Sequence, residues 1–140
     1  MSLDPELLRT SLELVLERQP AITPRFYEIL FERYPQVRPL FGRNAAGNQA
    51  KMLQEAIVAV VDHLEDAEWL GSTLGAMGLK HVGYGVTPEM YGWVADSLIR
   101  TLAEVAGNDW SPEAEAAWTA ALFAIRDLML AGTERVQIAS

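Results

Sequence analysis

The chain contains two histidines, and one of them, His81, ends an apolar helical stripe. Positions 70, 74, 77 and 81 have the spacing that places side chains on one face of a helix. His81 is therefore predicted to point inward with Leu70, Leu74 and Met77. A buried imidazole needs a hydrogen-bond partner or a metal ion, because burying it unpaired is costly. Two interpretations are open here: a core histidine bonded to a carbonyl or a tyrosine, and a metal ligand.

Two further polar side chains lie at the ends of apolar helical faces. Gln49 begins a stripe that continues through Leu53 and Ile57, and Tyr27 lies between Phe26 and a run of other apolar residues. Both have ordinary explanations, since amides are common in the first turn of a helix and a buried tyrosine often ends a core face. Each feature alone indicates no particular chemistry.

The second histidine, His63, lies too far along its helix to share a site with Gln49. At about 1.5 Å of rise per residue, the two positions are about 21 Å apart. His63 is therefore predicted to be a surface or helix-end residue, and paired histidine ligation of one metal through it is not expected.

Four segments carry a helix-start signal, a capping side chain followed by proline. They are Asp4-Pro5, Thr23-Pro24, Thr87-Pro88 and Ser111-Pro112. Each precedes apolar residues at helical spacing, and no sustained period-two alternation predicts a strand. The pattern predicts an all-α domain over residues 1–131, with six long helices and a short one from Pro35 to Phe41, followed by a C-terminal tail over residues 132–140.

Composition excludes several classes of protein. Eleven basic and nineteen acidic residues give a net charge of -8, which disfavours binding to nucleic acid or an anionic membrane surface. The absence of cysteine excludes disulfides, thiolate metal sites, thioether-linked cofactors and cysteine nucleophiles. No signal peptide and no apolar run of membrane-spanning length is visible, so a cytoplasmic protein is predicted.

Four stretches, in order, carry a family resemblance: "RFYEILFERYPQVRPLF", "NQAKMLQEAI", "KHVGYGVTPEMYGWV" and "AW" in the last helix. From about Leu7 to Leu130 the sequence resembles a globin, and in particular the bacterial single-domain globins and the haem domain of flavohaemoglobins. The resemblance implies a globin fold around a non-covalently held haem b.

The resemblance also assigns residues around the haem. His81 matches the proximal histidine that binds the iron and leaves the opposite axial position open. Phe41 matches the phenylalanine that packs on the haem face. Gln49 and Leu53 match the distal pair, and Tyr27 matches the tyrosine of the same distal pocket. A phenol and an amide donor there imply tight oxygen binding.

On the proximal side, Tyr91 matches a tyrosine that flavohaemoglobins pair with a glutamate from the last helix. The ungapped alignment puts Arg135 at that glutamate's position, with Glu134 one residue away. This departure weakens the expectation of enzymatic oxygen chemistry, which the pair favours by making the proximal imidazole more electron-donating.

The resemblance places two more residues, Tyr84 and Val86, near the haem edge and suggests a role for Lys80. Tyr84 and Val86 follow the proximal helix, and Lys80 could pair with a haem propionate. A turn tyrosine, a core valine and a solvated lysine are the alternative interpretations.

The resemblance implies a five-coordinate haem protein that binds O2, NO and CO, an oxygen carrier or buffer. The alternative is a nitric oxide dioxygenase that converts NO and O2 to nitrate with electrons from a separate reductase. A gas-sensor module of a longer protein is a third hypothesis.

Overall fold

The computed structural model describes residues 4–41, 48–83 and 85–139, and it leaves the side chains of residues 41, 48, 49 and 134–139 outside the description. All regular structure in the described ranges is helical. The helices are α1 Pro5–Arg18, α2 Thr23–Arg33, α3 Arg38–Phe41, α4 Asn48–Asp62, α5 Ala67–Gly83, α6 Pro88–Ala106 and α7 Pro112–Ala139, with 3₁₀ turns at Pro35–Val37 and Gly107–Asp109. The predicted all-α architecture, six long helices and a short one before residue 42, is confirmed.

Three of the four predicted helix starts have the expected caps. The Leu7 N–H donates to the Asp4 carboxylate at 3.1 Å, and the Ala114 N–H donates to the Ser111 hydroxyl at 3.0 Å. Thr87 is the N-cap of α6. The side chains of Asp4 and Ser111 thus supply an acceptor that the first helical turn needs, and at Thr87 the backbone carbonyl accepts the Met90 N–H at 3.0 Å.

The fourth cap prediction is wrong. Thr23 is already inside α2, and the N-cap position belongs to Ile22, which has a helical backbone and no capping side chain. The reason is a long-range contact: the Ile22 N–H donates to Gln54 Oε1 at 3.1 Å, and Gln54 Nε2 donates to the Pro20 carbonyl at 2.6 Å. One amide on α4 therefore holds the chain where it enters α2.

Replacing Gln54 by leucine is expected to lower the free energy of unfolding by about 1–3 kcal/mol, because the N–H of the fully buried Ile22 loses its acceptor. Urea denaturation measures the effect. Leucine at Gln36, an exposed glutamine on the first 3₁₀ turn, is the matched control and should leave the midpoint nearly unchanged. Equal midpoints for the two variants would show that the Gln54 bridge adds nothing to stability.

Two clusters of buried apolar side chains are packed between the helices. The larger joins α1, α2, α4, α6 and α7 and includes Leu8, Phe26, Leu30, Leu102 and Trp118. Trp118 also donates from Nε1 to the Ser11 hydroxyl at 2.9 Å, which ties α7 to α1. The smaller cluster, here called the α5–α7 cluster, consists of Val60, Leu70, Leu74 and Met129, with Met77 and Tyr91 packed against it.

An ion-pair network joins the end of α2 to α6. The Asp96 carboxylate accepts from Arg33 Nε at 3.1 Å, from the Tyr34 hydroxyl at 2.9 Å and from Arg100 Nε at 3.2 Å. Burial by itself would raise the pKa of Asp96, but the Tyr34 hydrogen bond and the charges of Arg100 and Arg33 outweigh it, so the pKa lies below its usual value.

A lowered pKa makes the contribution of Asp96 to stability dependent on pH. The contribution is present above the carboxyl's unfolded pKa of about 4 and is lost as pH falls through the lower folded value. We expect Asp96→Asn to lower the urea midpoint slightly at pH 7, since the group is partly exposed, with the difference from wild type closing as the pH drops below about 4. Asp127→Asn, which removes an ion pair with the adjacent Arg126, is the control. A difference for Asp96→Asn that stays constant from pH 7 to 3 would contradict the assignment.

None of the helices in the described ranges is both long and apolar enough to cross a membrane. Helix α7 runs through the predicted boundary between residues 131 and 132.

Candidate functional site

The candidate site is centred on His81 in the last turn of α5. The helix begins at Ala67, one residue after Asp66, whose carboxylate accepts from the Trp69 N–H at 3.0 Å. Its inward face carries Leu70 and Leu74, which are 7% and 1% exposed. His81 continues this face as a half-buried side chain.

The His81 ring has a defined tautomer. Its Nδ1 lies 2.6 Å from the carbonyl oxygen of Met77, one turn back in the same helix. A carbonyl oxygen can only accept, so Nδ1 carries the proton, and in the neutral ring the lone pair is on Nε2. A neutral imidazole whose other nitrogen donates to a backbone carbonyl is the usual form of a metal-ligating histidine.

Two predicted residues lie next to His81. The ring of Tyr91, on α6, stacks on the imidazole with centroids 5.9 Å apart and an angle of 23° between the planes. Val86 donates its N–H to the His81 carbonyl at 3.0 Å, which closes the turn after α5. Burial raises the pKa of Tyr91, so its phenol is protonated at neutral pH.

Tyr27 and Leu53 lie together in the larger core cluster. Tyr27, on α2, is 6% exposed, and Leu53, on α4, packs against the same cluster. The Tyr27 ring stacks on Phe31 with centroids 5.7 Å apart and meets Phe26 at 5.2 Å. Burial raises the pKa of Tyr27, so its hydroxyl also stays protonated and can donate.

The other predicted residues are less defined by the structure. Lys80 is exposed beside His81. Phe41 ends α3 and Gln49 lies in the first turn of α4, but their side chains are outside the described part of the chain, and Tyr84 is outside it entirely. The side chains of Glu134 and Arg135, the two residues that the alignment brings to the position of a glutamate partner of Tyr91, are also outside the described part of the chain.

His63 lies in the turn after α4, at the helix end as predicted. Its Nδ1 lies 2.7 Å from the Ala59 carbonyl, and its ring stacks on Trp69 with centroids 3.9 Å apart. The same backbone hydrogen bond is thus present at both histidines, but the neighbouring ring differs: an indole at His63 and a phenol at His81.

Two features of the site could not be read from helical stripes. The Met77 carbonyl is a backbone group, and only the four-residue offset to His81 hints at it. The close approach of α5 to α7 depends on Gly75, Gly78 and Gly132, which in sequence appear only as scattered small residues.

Comparison with known proteins gives a consistent result. The family model described as Globin matches residues 24–129. The flavohemoprotein of Pseudomonas putida is 31% identical over 133 residues, which is 93% of this chain and 34% of that protein. The flavohemoprotein of Pseudomonas aeruginosa is 31% identical over 96% of this chain and 35% of its own length. The chain therefore spans about a third of the length of these curated relatives.

Two solved structures share the fold. An engineered carbene transferase based on a proposed nitric oxide dioxygenase from Rhodothermus marinus superposes with a TM-score of 0.81 at 27% identity, covering 99% of this chain and 96% of that one. A bacterial globin from Campylobacter jejuni has a TM-score of 0.79 at 23% identity over 95% of this chain and 96% of its own, and it supports the fold alone. Because the family model covers most of the sequence and the architecture agrees, the chain belongs to the globin family.

Proposed function

We propose that the chain binds haem b through His81 and uses it to bind dioxygen reversibly, as an oxygen carrier or buffer in the cytoplasm. The observation that carries the proposal is the hydrogen bond from His81 Nδ1 to the Met77 carbonyl. It holds the imidazole in the tautomer that presents the Nε2 lone pair, on a helix face otherwise made of apolar side chains.

The donor set fits such a cofactor. An imidazole on a largely apolar face suits a porphyrin iron, and Tyr91 and Val86 adjoin the imidazole. We propose that Leu53, on α4, lies on the opposite, distal side of the haem. We propose that Phe41, Lys80 and Tyr84 complete the contacts with the macrocycle. When bound, the haem would supply an iron that can bind O2, NO or CO.

The chain's own residues would then control release of the gas. The protonated phenol of Tyr27 lies in an apolar cluster, where a hydrogen bond to a polarised ligand is stronger than in water. Gln49, on the helix that also carries Leu53, is proposed as the second donor. Two such donors would slow dissociation of oxygen more than that of CO, which is a weaker acceptor.

Absorbance spectra of the purified protein, oxidised, reduced and CO-bound, test the proposal. We expect stoichiometric haem uptake, a five-coordinate reduced form and a stable oxygenated form that releases oxygen when the gas is removed. A reduced spectrum with two protein ligands, or no haem uptake, would contradict it.

A second function, nitric oxide dioxygenase, is supported by the similarity to the flavohemoproteins and to the Rhodothermus marinus protein. The balanced reaction joins NO, O2 and one electron to give nitrate, so it needs an electron donor, and we propose a separate reductase for that role. The discriminating measurement is nitrate formed over many turnovers with NADH and a flavin reductase. A single stoichiometric turnover would favour the carrier.

A further inference from the structure

Helices α5 and α7 touch backbone to backbone at three glycines. A Cβ built on Gly78 would lie 2.1 Å from the carbonyl oxygen of Met129, and one built on Gly132 would lie 2.4 Å from the Cα of Gly75. Real Cβ atoms essentially never come within 3.0 Å of another heavy atom, and here the opposing atoms are backbone. No larger side chain fits at Gly78 unless the two helices move apart.

This contact lies within one turn of the candidate iron ligand. Gly78 directly follows Met77, whose carbonyl accepts the His81 Nδ1–H at 2.6 Å, and at 3.6 residues per turn it lies just under one turn before His81. An α-helix is rigid over a single turn. The contact of Gly78 with the backbone of α7 therefore also fixes the position of the His81 imidazole relative to α7.

We propose that Gly78 is a positioning residue for the iron ligand. Its backbone contact with Met129 sets the distance between α5 and α7, and this distance determines the position of His81 Nε2. The inference rests on the proposed ligation of haem by His81. A methyl group at Gly78 would lie about 1 Å closer to the Met129 carbonyl oxygen than real Cβ atoms come to other atoms. Closely packed backbone cannot accommodate such an overlap unless one helix moves. The displacement would carry the imidazole with it.

The chain provides matched controls on the same helix. Gly83 lies two residues after His81, Gly71 lies near the start of α5, and a Cβ added at either glycine would meet no heavy atom within 4 Å. Alanine in a helix is generally more favourable than glycine by about 0.5–1 kcal/mol. Gly83→Ala therefore tests the effect of an added methyl group close to His81, and Gly71→Ala tests the loss of a glycine from α5. Neither variant disturbs the contact with α7.

The experiment compares Gly78→Ala with these controls in the haem-loaded full chain. The readouts are the iron–histidine stretching band in resonance Raman spectra of the reduced protein and the rate of CO association after flash photolysis. We expect a displaced or split band and a change of about threefold or more in the CO rate for Gly78→Ala, with both unchanged in Gly71→Ala and Gly83→Ala. If Gly78→Ala does not fold, Gly132→Ala on α7 makes the same comparison, because its added Cβ would meet the backbone of Gly75, which lies further from His81 on α5 than Gly78 does. A smaller displacement of the band is then expected.

The outcomes separate the two claims. A wild-type protein without an iron–histidine band overturns the proposed ligation by His81. A wild-type band that stays in place in folded, haem-loaded Gly78→Ala overturns the positioning role. An equal shift in Gly83→Ala also overturns it, because any alanine near His81 would then have the same effect.

Discussion

Replacement of His81 by alanine is expected to abolish the spectrum of histidine-ligated, five-coordinate haem. Outer-shell hydrogen bonds to a metal ligand are alone worth about 10–100-fold in metal affinity, so loss of the ligand itself should lower haem affinity by at least about 100-fold. The measurement is a haem titration of the apoprotein followed by reduced and CO-bound spectra. The fold should persist, because His81 is only half-buried and lies in the last turn of α5.

His63→Ala is the matched control for this prediction. It removes the chain's other imidazole, which has the same Nδ1 hydrogen bond to a carbonyl four residues back. It also deletes the stack on Trp69, yet it should leave the haem spectrum and affinity unchanged. A protein that loses its haem spectrum in His63→Ala and keeps it in His81→Ala would have the opposite ligand from the one proposed.

A second variant separates loss of the ligand from loss of the fold. In His81→Gly the space of the imidazole is vacated, and added imidazole should restore the five-coordinate reduced spectrum. Recovery with imidazole, together with a helical circular dichroism spectrum close to that of wild type, would assign the defect to ligation. Absence of recovery in a folded variant would count against His81 as the ligand.

Local patterns in the sequence were enough to predict the helices. Asp4, Thr87 and Ser111 begin helices because capping is decided by a few neighbouring residues. The stripe from Leu70 to His81 gave the inward face of α5 because helical periodicity is a property of one element. Which side chains of a helix face the protein core can therefore be predicted from the sequence of that helix alone.

The contacts that place the helices relative to one another could not be predicted in this way. Gln54 reaches residues 20 and 22, and Gly78 meets the backbone of Met129, across long stretches of chain. Such contacts depend on the crossing geometry of two helices, which a single segment does not encode. The failure of Thr23 as a cap has this origin, since the entry to α2 is set by Gln54 on another helix.

The same division applies to the candidate site. Helical spacing singled out His81 and Tyr27, and the family resemblance gave them and Tyr91 their expected roles. The structure adds what surrounds them: the Met77 carbonyl at the imidazole, the stacked phenol and the apolar cluster around Tyr27. The tautomer of His81 follows from a backbone atom. Backbone acceptors are the same in every residue, so no pattern of side chains could have identified this one.

Replacing Tyr27 by phenylalanine is expected to speed oxygen dissociation by about tenfold or more. The ring of Tyr27 is held between Phe26 and Phe31 in the core, so phenylalanine should keep the packing and remove only the hydroxyl. A hydrogen bond to a charged or strongly polarised acceptor contributes about 1.5–3 kcal/mol, and 1.4 kcal/mol is a factor of about ten in rate. Stopped-flow displacement of oxygen by CO measures the dissociation rate.

Tyr34→Phe is the control for this prediction, because it removes a hydroxyl near the end of the same helix whose partner is the Asp96 carboxylate at 2.9 Å. It should leave oxygen dissociation unchanged and slightly weaken the junction between α2 and α6. Because burial raises the pKa of Tyr27, its phenol should remain a donor above the usual tyrosine pKa of about 10, and the slow dissociation of wild type should persist to that pH. Equal dissociation rates for Tyr27→Phe and wild type would remove Tyr27 from the distal site and leave Gln49 as the proposed donor.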